Sequence, residues 1–317
     1  MADCTKQFKK FFENIELTDS QVETLKTNRE GLRNTIRKYF SDNALQQPDF
    51  CWQGSFSMGT TIKDPDNEYD FDDGVYLNNL PEDKDKWPKT EFVHEYIFNA
   101  VKNQSAAGAI DKKKCVRVPY SDNHHVDLAI YGKAKDTYFL AVKGDTQWEE
   151  NNAKLFKEWF DIKKKDYGDD FVKAIRAIKK WAKVQGYSQF SGFYITILIG
   201  NNFSPNQRFD LCMKETLENI LNDLRLNYKI VRPVKPMKNL TEEKYQTNAE
   251  FNEVFIKPLE SFLEIVKSSV NSTSLEEATT YWSGLFGVDY PVVEAEEKST
   301  RLDSAFAIST TPQPWSL

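Results

Sequence analysis

Two aspartates spaced two residues apart, Asp70 and Asp72, follow a glycine- and serine-rich turn that begins at Gly54 and Ser55. On a strand, residues two apart leave the same face, so the two carboxylates would project together. Glycine lets backbone N–H groups approach a phosphate closely, and the Ser55 hydroxyl adds a donor. Paired carboxylates beside a phosphate-binding turn are what Mg²⁺-assisted phosphoryl or nucleotidyl transfer requires. The sequence therefore predicts this chemistry.

A third carboxylate, Asp127, stands in the apolar run of residues 126–131. Burying a charge in such a strand costs free energy unless a cation or a hydrogen-bond donor meets it. Three carboxylates that face one point can hold two Mg²⁺ ions, one at the nucleophile and one bridging a triphosphate. The alternative for Asp127 is a cap at the end of a strand. The motif around Asp70 favours the ligand interpretation.

The acidic residues that precede this pair, Asp64, Asp66 and Glu68, alternate as in a calcium-binding EF-hand loop. Such a loop needs glycine at its sixth position, and counted from Asp66 that position is Phe71. A calcium loop is therefore not expected. We predict that these three side chains are mostly solvated.

Two adjacent histidines, His124 and His125, precede the third aspartate. A catalytic role is one interpretation. We favour a surface pair at the start of a strand, because metal ions would already supply the activation.

Composition narrows the class of protein. The chain has 317 residues, a formal net charge of −6 and a pI near 5.4, which disfavours a long polynucleotide partner. No apolar run reaches the length of about 18 residues that a membrane span needs, and no secretory signal is apparent. The four cysteines lie far apart, so neither a zinc site nor a disulfide framework is expected, and the cytosol is the natural compartment.

Periodicity predicts the elements that must position the carboxylates. Residues 1–17 and 19–41 show helical spacing, and the cluster that starts at Thr18 offers an N-cap for the second helix. We predict that this long helix is a spine behind the catalytic layer. Strands between residues 50 and 145, with a helix at 90–105, indicate an α+β fold.

The rest of the chain is predominantly helical in pattern. Helices are predicted at 148–163, 170–183, 209–226 and 249–268, with a proline-containing connection between residues 230 and 239. Residues 294–317 are acidic and then rich in Ser, Thr and Pro, which is typical of a mobile tail.

Longer motifs carry a family resemblance. The stretches are Gly54-Ser55 to Gly59-Thr60, Tyr69-Asp70-Phe71-Asp72-Asp73-Gly74 and Val126-Asp127. They resemble the cGAS/DncV-like nucleotidyltransferases (CD-NTases) of the bacterial CBASS anti-phage systems. Later stretches agree with this family, among them 175–181, 190–193 and 281–287. The resemblance extends from about residue 18 to residue 292.

The resemblance implies a bilobed fold with a polymerase-β-like catalytic lobe, a mixed sheet and a helical C-terminal lobe. It implies a nucleotidyltransferase lobe at 1–147, a helical lobe at 148–293 and a tail at 294–317. Family members join nucleoside triphosphates into a cyclic di- or trinucleotide, release pyrophosphate, and so activate a downstream effector. The expected cofactor is Mg²⁺ as two ions, with Mn²⁺ possible.

Site residues follow from the resemblance by position. It implies that Asp70, Asp72 and Asp127 are catalytic metal ligands. The implied substrate contacts are Gly54, Ser55, Arg117, Arg176, Lys179, Lys180 and Ser191, with Arg117 near a base and the others at the phosphates. The alternative for Lys179 and Lys180 is the solvent face of an amphipathic helix. The alternative for Ser191 is a helix N-cap, and one serine can serve both purposes.

Two features of animal DNA-sensing relatives, a zinc-binding insertion and basic DNA-binding faces, are not visible in this sequence. We therefore expect a cytoplasmic bacterial enzyme that needs no nucleic-acid ligand and no membrane. In some operons of this family the C-terminus is conjugated to targets by ubiquitin-like machinery. For the tail of this chain we favour ordinary disorder over conjugation.

Three other functions compete with cyclic synthesis. The first is a linear-product enzyme similar to oligoadenylate synthetases, which the acidic charge disfavours. The second is a degenerate nucleotide-binding module, which the complete set of carboxylates disfavours. The third is a toxin-type transferase that adds a nucleotide to a protein.

Overall fold

The computed structural model describes residues 1–63, 69–144 and 148–293. A seven-stranded mixed sheet forms its first lobe, in the order β1-β2-β5-β4-β3, with β6 paired to β5 and β7 to β6. The strands are β1 (Asp49–Gln53), β2 (Tyr69–Tyr76), β3 (Ile110–Asp111), β4 (Val116–Pro119), β5 (His124–Ala134), β6 (Thr137–Leu140) and β7 (Glu149–Glu150).

Strands β2 and β5 are parallel, whereas β1 is antiparallel to β2 and β4 is antiparallel to β5. Because side chains alternate between the faces of a strand, this pairing sorts the residues of the central strands into two sets. One set, which includes Phe71, Val126 and Leu128, is fully buried in the lobe's core. The other set faces the second lobe.

The predicted spine is helix α2 (Asp19–Asp42). Thr18 caps it in a capping box: Thr18 Oγ1 accepts from Gln21 N at 3.3 Å, and Thr18 N donates to Gln21 Oε1 at 2.9 Å. Leu25 and Ile36 of α2 pack into the core of the first lobe. Helix α4 (Thr90–Val101) lies beside α2, and together they cover the core face of the sheet.

The second lobe is helical. Its main core gathers Trp181, Phe255, Phe262, Trp282 and Phe286, all 2% exposed or less. Its helices are α5 (Ala153–Tyr167), α6 (Asp169–Val184), α7 (Gly192–Asn202), α8 (Phe209–Asn227), α9 (Asn248–Phe251), a π-helical turn (Asn252–Ile256), α10 (Lys257–Asn271) and α11 (Leu275–Phe286).

The α+β bilobed fold with its mixed sheet and spine helix is confirmed, but two local expectations need correction and one helix was missed. The stretch predicted as a Gly-Ser turn is a short helix, α3 (Gly54–Met58), capped by Gly59 in the left-handed region at φ 69°. The segment after residue 148 begins with strand β7 before α5 starts. Helix α11 was not predicted from its pattern.

The N-terminal helix, α1 (Thr5–Ile15), is formed as predicted but packs in the other lobe. Phe8 contacts Phe209 and Trp282, each at 4.9 Å between ring centroids. The interval 1–147 is therefore not one structural unit, because its first helix completes the core of the helical lobe. The rest of the predicted division stays a prediction.

Several expectations concern residues outside the described ranges. These are the solvation of Asp64, Asp66 and Glu68, and the mobility and conjugation of the tail at 294–317. Within the ranges that the structure describes, no helix combines the length and the apolarity needed to cross a bilayer.

A buried ion pair joins the spine helix to the central strand. Asp73, fully buried, accepts from Arg33 Nε at 2.7 Å and from Arg33 Nη2 at 2.6 Å. This bidentate geometry satisfies both carboxylate oxygens. The pair fixes the rotation of α2 relative to β2, and hence the orientation of the strand that carries the candidate catalytic residues.

We predict that Arg33→Met lowers the free energy of unfolding by about 3–5 kcal/mol, because Asp73 is left charged, buried and unpaired. Chemical denaturation measures the change. The double variant Arg33→Met with Asp73→Leu should recover much of the loss. As a control, Lys38→Ala removes an exposed pair with Asp42 and should cost no more than about 0.5 kcal/mol. Equal losses for Arg33→Met and Lys38→Ala would contradict the prediction.

Candidate active site

A cleft between the two lobes contains the predicted motif. Its volume is about 1100 Å³. The sheet side contributes Gly54, Ser55, Asp70 and Asp72, and the helical side contributes cationic, aromatic and small residues, among them Phe156, Lys179, Tyr187, Gly192, Phe193 and Arg232.

The pairing of the central strands brings the three predicted aspartates to one face of the sheet. Asp72 of β2 stands directly opposite Asp127 of β5, and Asp70 stands opposite His125. Alternation along β2 turns Asp73 to the other face, towards Arg33. The geometric core of the sequence prediction, three carboxylates from two distant segments on one face, is therefore present.

Asp127 is held by a cation from the neighbouring strand. Arg117 is its register partner on β4. Arg117 Nε donates to Asp127 Oδ1 and Nη2 donates to Oδ2, both at 2.7 Å. The side chain predicted to lie near a base thus neutralises the third carboxylate. Asp127 itself does not line the cleft.

The other two carboxylates differ in their electrostatics. Partial withdrawal from water raises the pKa of Asp70. Its contact with His125 Nε2 at 3.0 Å, together with the charges of Arg117 and Lys179, outweighs this effect and holds that pKa below its ordinary value. Burial, followed by repulsion from Asp127 and Asp70, raises the pKa of Asp72 to about 7. Among the described residues, no donor bonds to either oxygen of Asp72.

These observations test whether a divalent cation fits. Three carboxylates share one face, and the oxygens of Asp72 have no protein donor, so a cation there would relieve the repulsion. Across the described residues, however, no three His, Cys, Asp or Glu side chains converge as a ready-made metal cage. The ion pair of Asp127 with Arg117 accounts for the open arrangement. The residue types fit a metal, and the ligand assignment itself stays a prediction.

Gly54 is required by a close approach to the central carboxylate. A Cβ at position 54 would lie 1.7 Å from Asp72 Oδ2, and the backbone has a φ of +63°. Both facts exclude a larger side chain without movement. The first turn of α3 therefore lies directly against Asp72.

Ser55 and Lys179 line the cleft on opposite lobes, as the prediction requires. Ser55 Oγ is 2.9 Å from Thr61 Oγ1, and Lys179 Nζ donates to Thr60 O at 3.1 Å. Burial lowers the pKa of Lys179 to about 8, although Asp72 and Asp70 oppose that shift. A cation thus faces the carboxylates across the cleft.

The remaining predicted contacts lie elsewhere. Arg176 Nε donates to Gly59 O at 2.8 Å and its guanidinium also pairs with Glu16, so it supports the end of α3 from behind. Ser191 caps α7 by accepting from Tyr194 N at 3.2 Å. Neither residue lines the cleft.

Lys180, another predicted phosphate contact, does not line the cleft either. Only 2% exposed, it pairs with Asp289 inside the helical lobe. Lys179 lines the cleft, whereas Lys180, the next residue on α6, points about 100° away from it. The interpretation of Lys180 as a cleft residue is wrong, and so is the alternative of a solvent-exposed position.

The histidine pair is not on the surface, which corrects our expectation. His124 and His125 are 1% and 5% exposed. His124 stacks between Tyr69 and Tyr120, at centroid distances of 5.4 and 4.6 Å. His125 contacts Asp70. The sequence analysis did not predict His125 as a site residue. Its spacing could have indicated this, because His125 lies two residues before Asp127 on the same strand and therefore shares its face.

Comparison with known proteins identifies the domain. Residues 48–131 match the family model described as the nucleotidyltransferase domain of cyclic GMP-AMP synthase DncV-like proteins. These residues include Gly54, Ser55, all three aspartates and Arg117. The resemblance predicted from the motifs is confirmed, as is the prediction that the chain carries a nucleotidyltransferase domain.

Solved structures show the same fold over nearly the whole chain. A mutant of the Vibrio cholerae di-nucleotide cyclase DncV, in complex with ATP and GTP, matches with a TM-score of 0.76 and 17% identity, over 93% of this chain and 99% of that one. CdnC from Escherichia coli MS115-1 with ATP matches at 0.69 and 18%, over 92% and 99%. The V. cholerae cyclic AMP-GMP synthase DncV with a linear intermediate, pppA(3′,5′)pG, matches at 0.71 and 18%, over 88% and 94%.

The raised pKa of Asp72 predicts that the stability of the fold depends on pH. The folded pKa lies above the unfolded value of about 3.9, so the Asp72 carboxylate destabilises the fold increasingly as the pH rises from 4 through 7. In metal-free buffer, Asp72→Asn should therefore raise the melting temperature at pH 8, by about 2–4 °C for each kcal/mol of relieved repulsion.

The difference should shrink as the pH falls towards 4 and be nearly gone below about pH 3, where Asp72 is protonated in both states. Melting curves of both proteins from pH 4 to 8 measure it. A matched control is Asp85→Asn at an exposed position, which should show no such trend. A stabilisation that stays constant across this range would refute the electrostatic explanation.

Proposed function

On the premise that residues 48–131 are a DncV-like nucleotidyltransferase domain, we propose that this protein is a cyclic oligonucleotide synthase. It would join nucleoside triphosphates into a cyclic di- or trinucleotide and release pyrophosphate. The observation that carries the proposal is the in-register facing of Asp72 and Asp127, with Asp70 on the same face, against the start of α3.

The proposed reaction forms a bond between a ribose hydroxyl oxygen and the α-phosphorus of a second nucleotide, and breaks the bond to pyrophosphate. Asp70, Asp72 and Asp127 would hold two Mg²⁺ ions, or Mn²⁺ in their place. When bound, such ions offset phosphate charge and lower the pKa of the attacking hydroxyl. The same reaction between the free ribose hydroxyl of the linear product and the α-phosphorus at its triphosphate end would close the ring and release a second pyrophosphate.

This chain's own residues have distinct parts in that reaction. The Ser55 hydroxyl donates to the triphosphate, and Lys179 faces it from the helical lobe. Asp127 accepts the proton of the attacking hydroxyl. Arg117 orients Asp127 through its two hydrogen bonds, which hold both carboxylate oxygens.

The size of the cleft supports more than one nucleotide. A volume of about 1100 Å³ exceeds the range of about 300–1,000 Å³ that is usual for one small ligand. The net charge of −6 fits free nucleotides with Mg²⁺ better than a nucleic-acid backbone. The relatives with ATP and GTP support the same substrate class.

We further propose that the product is a second messenger for an effector in cytoplasmic anti-phage signalling.

The direct test is incubation with the four nucleoside triphosphates and Mg²⁺, followed by phosphatase and mass spectrometry. We expect a product that survives phosphatase because a ring has no terminal phosphate. Asp70→Asn and Asp72→Asn should each lower its rate of formation by at least about 100-fold, since each removes charge needed to hold the cation.

The exposed variant Asp85→Asn should retain full activity. A phosphatase-sensitive product would instead indicate a linear nucleotidyltransferase, and a labelled protein would indicate a protein-modifying one. Undiminished product formation by the doubly substituted Asp70→Asn, Asp72→Asn protein would refute the mechanism.

The contact between α3 and β2 predicts a second effect. Gly54→Ala should lower synthase activity by at least about 10-fold, because its Cβ must displace the Asp72 carboxylate. The left-handed backbone should also cost about 1 kcal/mol of stability. Product formation and melting temperature measure the two effects.

Gly31→Ala is the matched control. Position 31 lies on α2 with nothing within 4 Å of an added Cβ, so the variant should keep its activity and gain about 0.5–1 kcal/mol of stability. Wild-type activity in Gly54→Ala would show that Asp72 does not need its present position.

A further inference from the structure

The ion pair between Arg117 and Asp127 occupies both oxygens of the third predicted metal ligand. Arg117 Nε donates to Asp127 Oδ1 and Nη2 donates to Oδ2, both at 2.7 Å. The two residues are register partners on β4 and β5, so the sheet itself sets their side chains opposite each other. A guanidinium is always charged and matches a carboxylate in this two-bond geometry. The pair is therefore built into the sheet.

The position of β4 gives this pair a direction. In the order of the sheet, β5 lies between β2 and β4. Asp72 stands opposite Asp127 on one side of β5, at the spacing of adjacent strands of about 4.8 Å, and Arg117 stands opposite it on the other side. The two bonds from Arg117 thus hold the carboxylate of Asp127 towards β4 and away from Asp72.

Two further observations agree with this displacement. Asp70 and Asp72 line the cleft, whereas Asp127, on the same face of the sheet, does not. Across the described residues, no three His, Cys, Asp or Glu side chains converge on one point. The register brings the three aspartates to one face, and the pair with Arg117 keeps the third carboxylate apart from the other two.

Electrostatics limits how many divalent cations this face can hold by itself. Arg117 cancels the charge of Asp127, so the carboxylates of Asp70 and Asp72 remain to attract a cation, and one divalent ion balances both. A second ion would be repelled by the first ion and by the guanidinium. It needs further negative charge, and the phosphates of a nucleoside triphosphate supply both charge and oxygen ligands.

We propose that Arg117 withholds Asp127 from metal until a nucleotide is bound. The nucleotide-free protein then holds one divalent cation, at Asp70 and Asp72. The second cation binds together with a triphosphate, and Arg117 gives up one of its two bonds to Asp127. Arg117 acts through Asp127 and is a positioning residue. The inference rests on the proposed function for its place in catalysis, but the number of ions bound without nucleotide tests it without turnover.

The test is a titration of the nucleotide-free protein with Mn²⁺, in which electron paramagnetic resonance of the free ion counts the bound ions. We expect one ion for the wild type and two for Arg117→Met, in which Asp127 has lost its counter-ion. The second ion should bind to Arg117→Met at least about 10-fold more tightly than to the wild type, because a carboxylate is freed and a like charge is removed.

Lys179→Met is the matched control for the loss of charge. Lys179 is a cation that lines the same cleft, but its ammonium donates to Thr60 O and holds no carboxylate oxygen. Its removal should leave the number of bound ions at one. A second ion in Lys179→Met would overturn the inference, because the loss of any nearby cation would then be sufficient.

A double variant covers the case in which Arg117→Met, with Asp127 unpaired, fails to fold. Arg117→Met combined with Asp127→Asn replaces the ion pair by two neutral side chains, so the net charge of the site is unchanged. It should bind one Mn²⁺ with the affinity of the wild type, because Asp127 is not a ligand in the free protein. Asp72→Asn should instead lower that affinity at least about 10-fold, since it removes a ligand carboxylate.

The remaining outcomes are equally decisive. Two ions bound by the nucleotide-free wild type overturn the inference, and so does an Arg117→Met protein that binds no more ions than the wild type. A loss of Mn²⁺ affinity of about 10-fold or more in the double variant also overturns it, because Asp127 would then be a ligand in the free protein. Absence of any nucleotide product from the wild type refutes the proposed function alone and leaves these ion counts unaffected.

Discussion

The parallel pairing of β2 with β5 is the constraint on which the candidate site depends. It joins segments more than 50 residues apart in register, so that Asp72 stands opposite Asp127 and Asp70 opposite His125. A shift of one residue would turn every side chain of one strand to the other face. The apolar residues between the aspartates prevent this shift, since Phe71, Val126 and Leu128 are fully buried on the far side. The core thereby fixes the positions of the carboxylates.

The motif Asp72-Asp73 shows how one strand separates two kinds of acidic residue. Asp73 is neutralised by Arg33 in the core, where an unpaired charge would be intolerable. Asp72, on the opposite face, has no such partner and a pKa raised to about 7. Perturbed carboxylates in a cleft are typical of functional sites. Structural and candidate catalytic roles therefore alternate along adjacent positions, and the difference lies in their partners.

Much of the fold and the sheet half of the site could be predicted, because both depend on local patterns. The spacing of two in Asp70 and Asp72 and the capping signal at Thr18 are read directly from neighbouring residues. The half of the candidate site that the helical lobe supplies was harder to predict. Arg176, Lys180 and Ser191 depend on how α6 and α7 are rotated against the sheet, which no local pattern encodes. Arg232 had no motif at all, and its place in the cleft follows only from packing.

The small helix α3 couples the two lobes. Its start lies against Asp72, while its end at Gly59 accepts from Arg176, and the next residue, Thr60, accepts from Lys179. Both cations belong to α6 and lie three residues apart, so they share one face of that helix. A movement of the helical lobe would therefore be transmitted through α3 to the position of Asp72. The width of the cleft and the geometry of its carboxylate-bearing face are thus not independent, because one short element joins them.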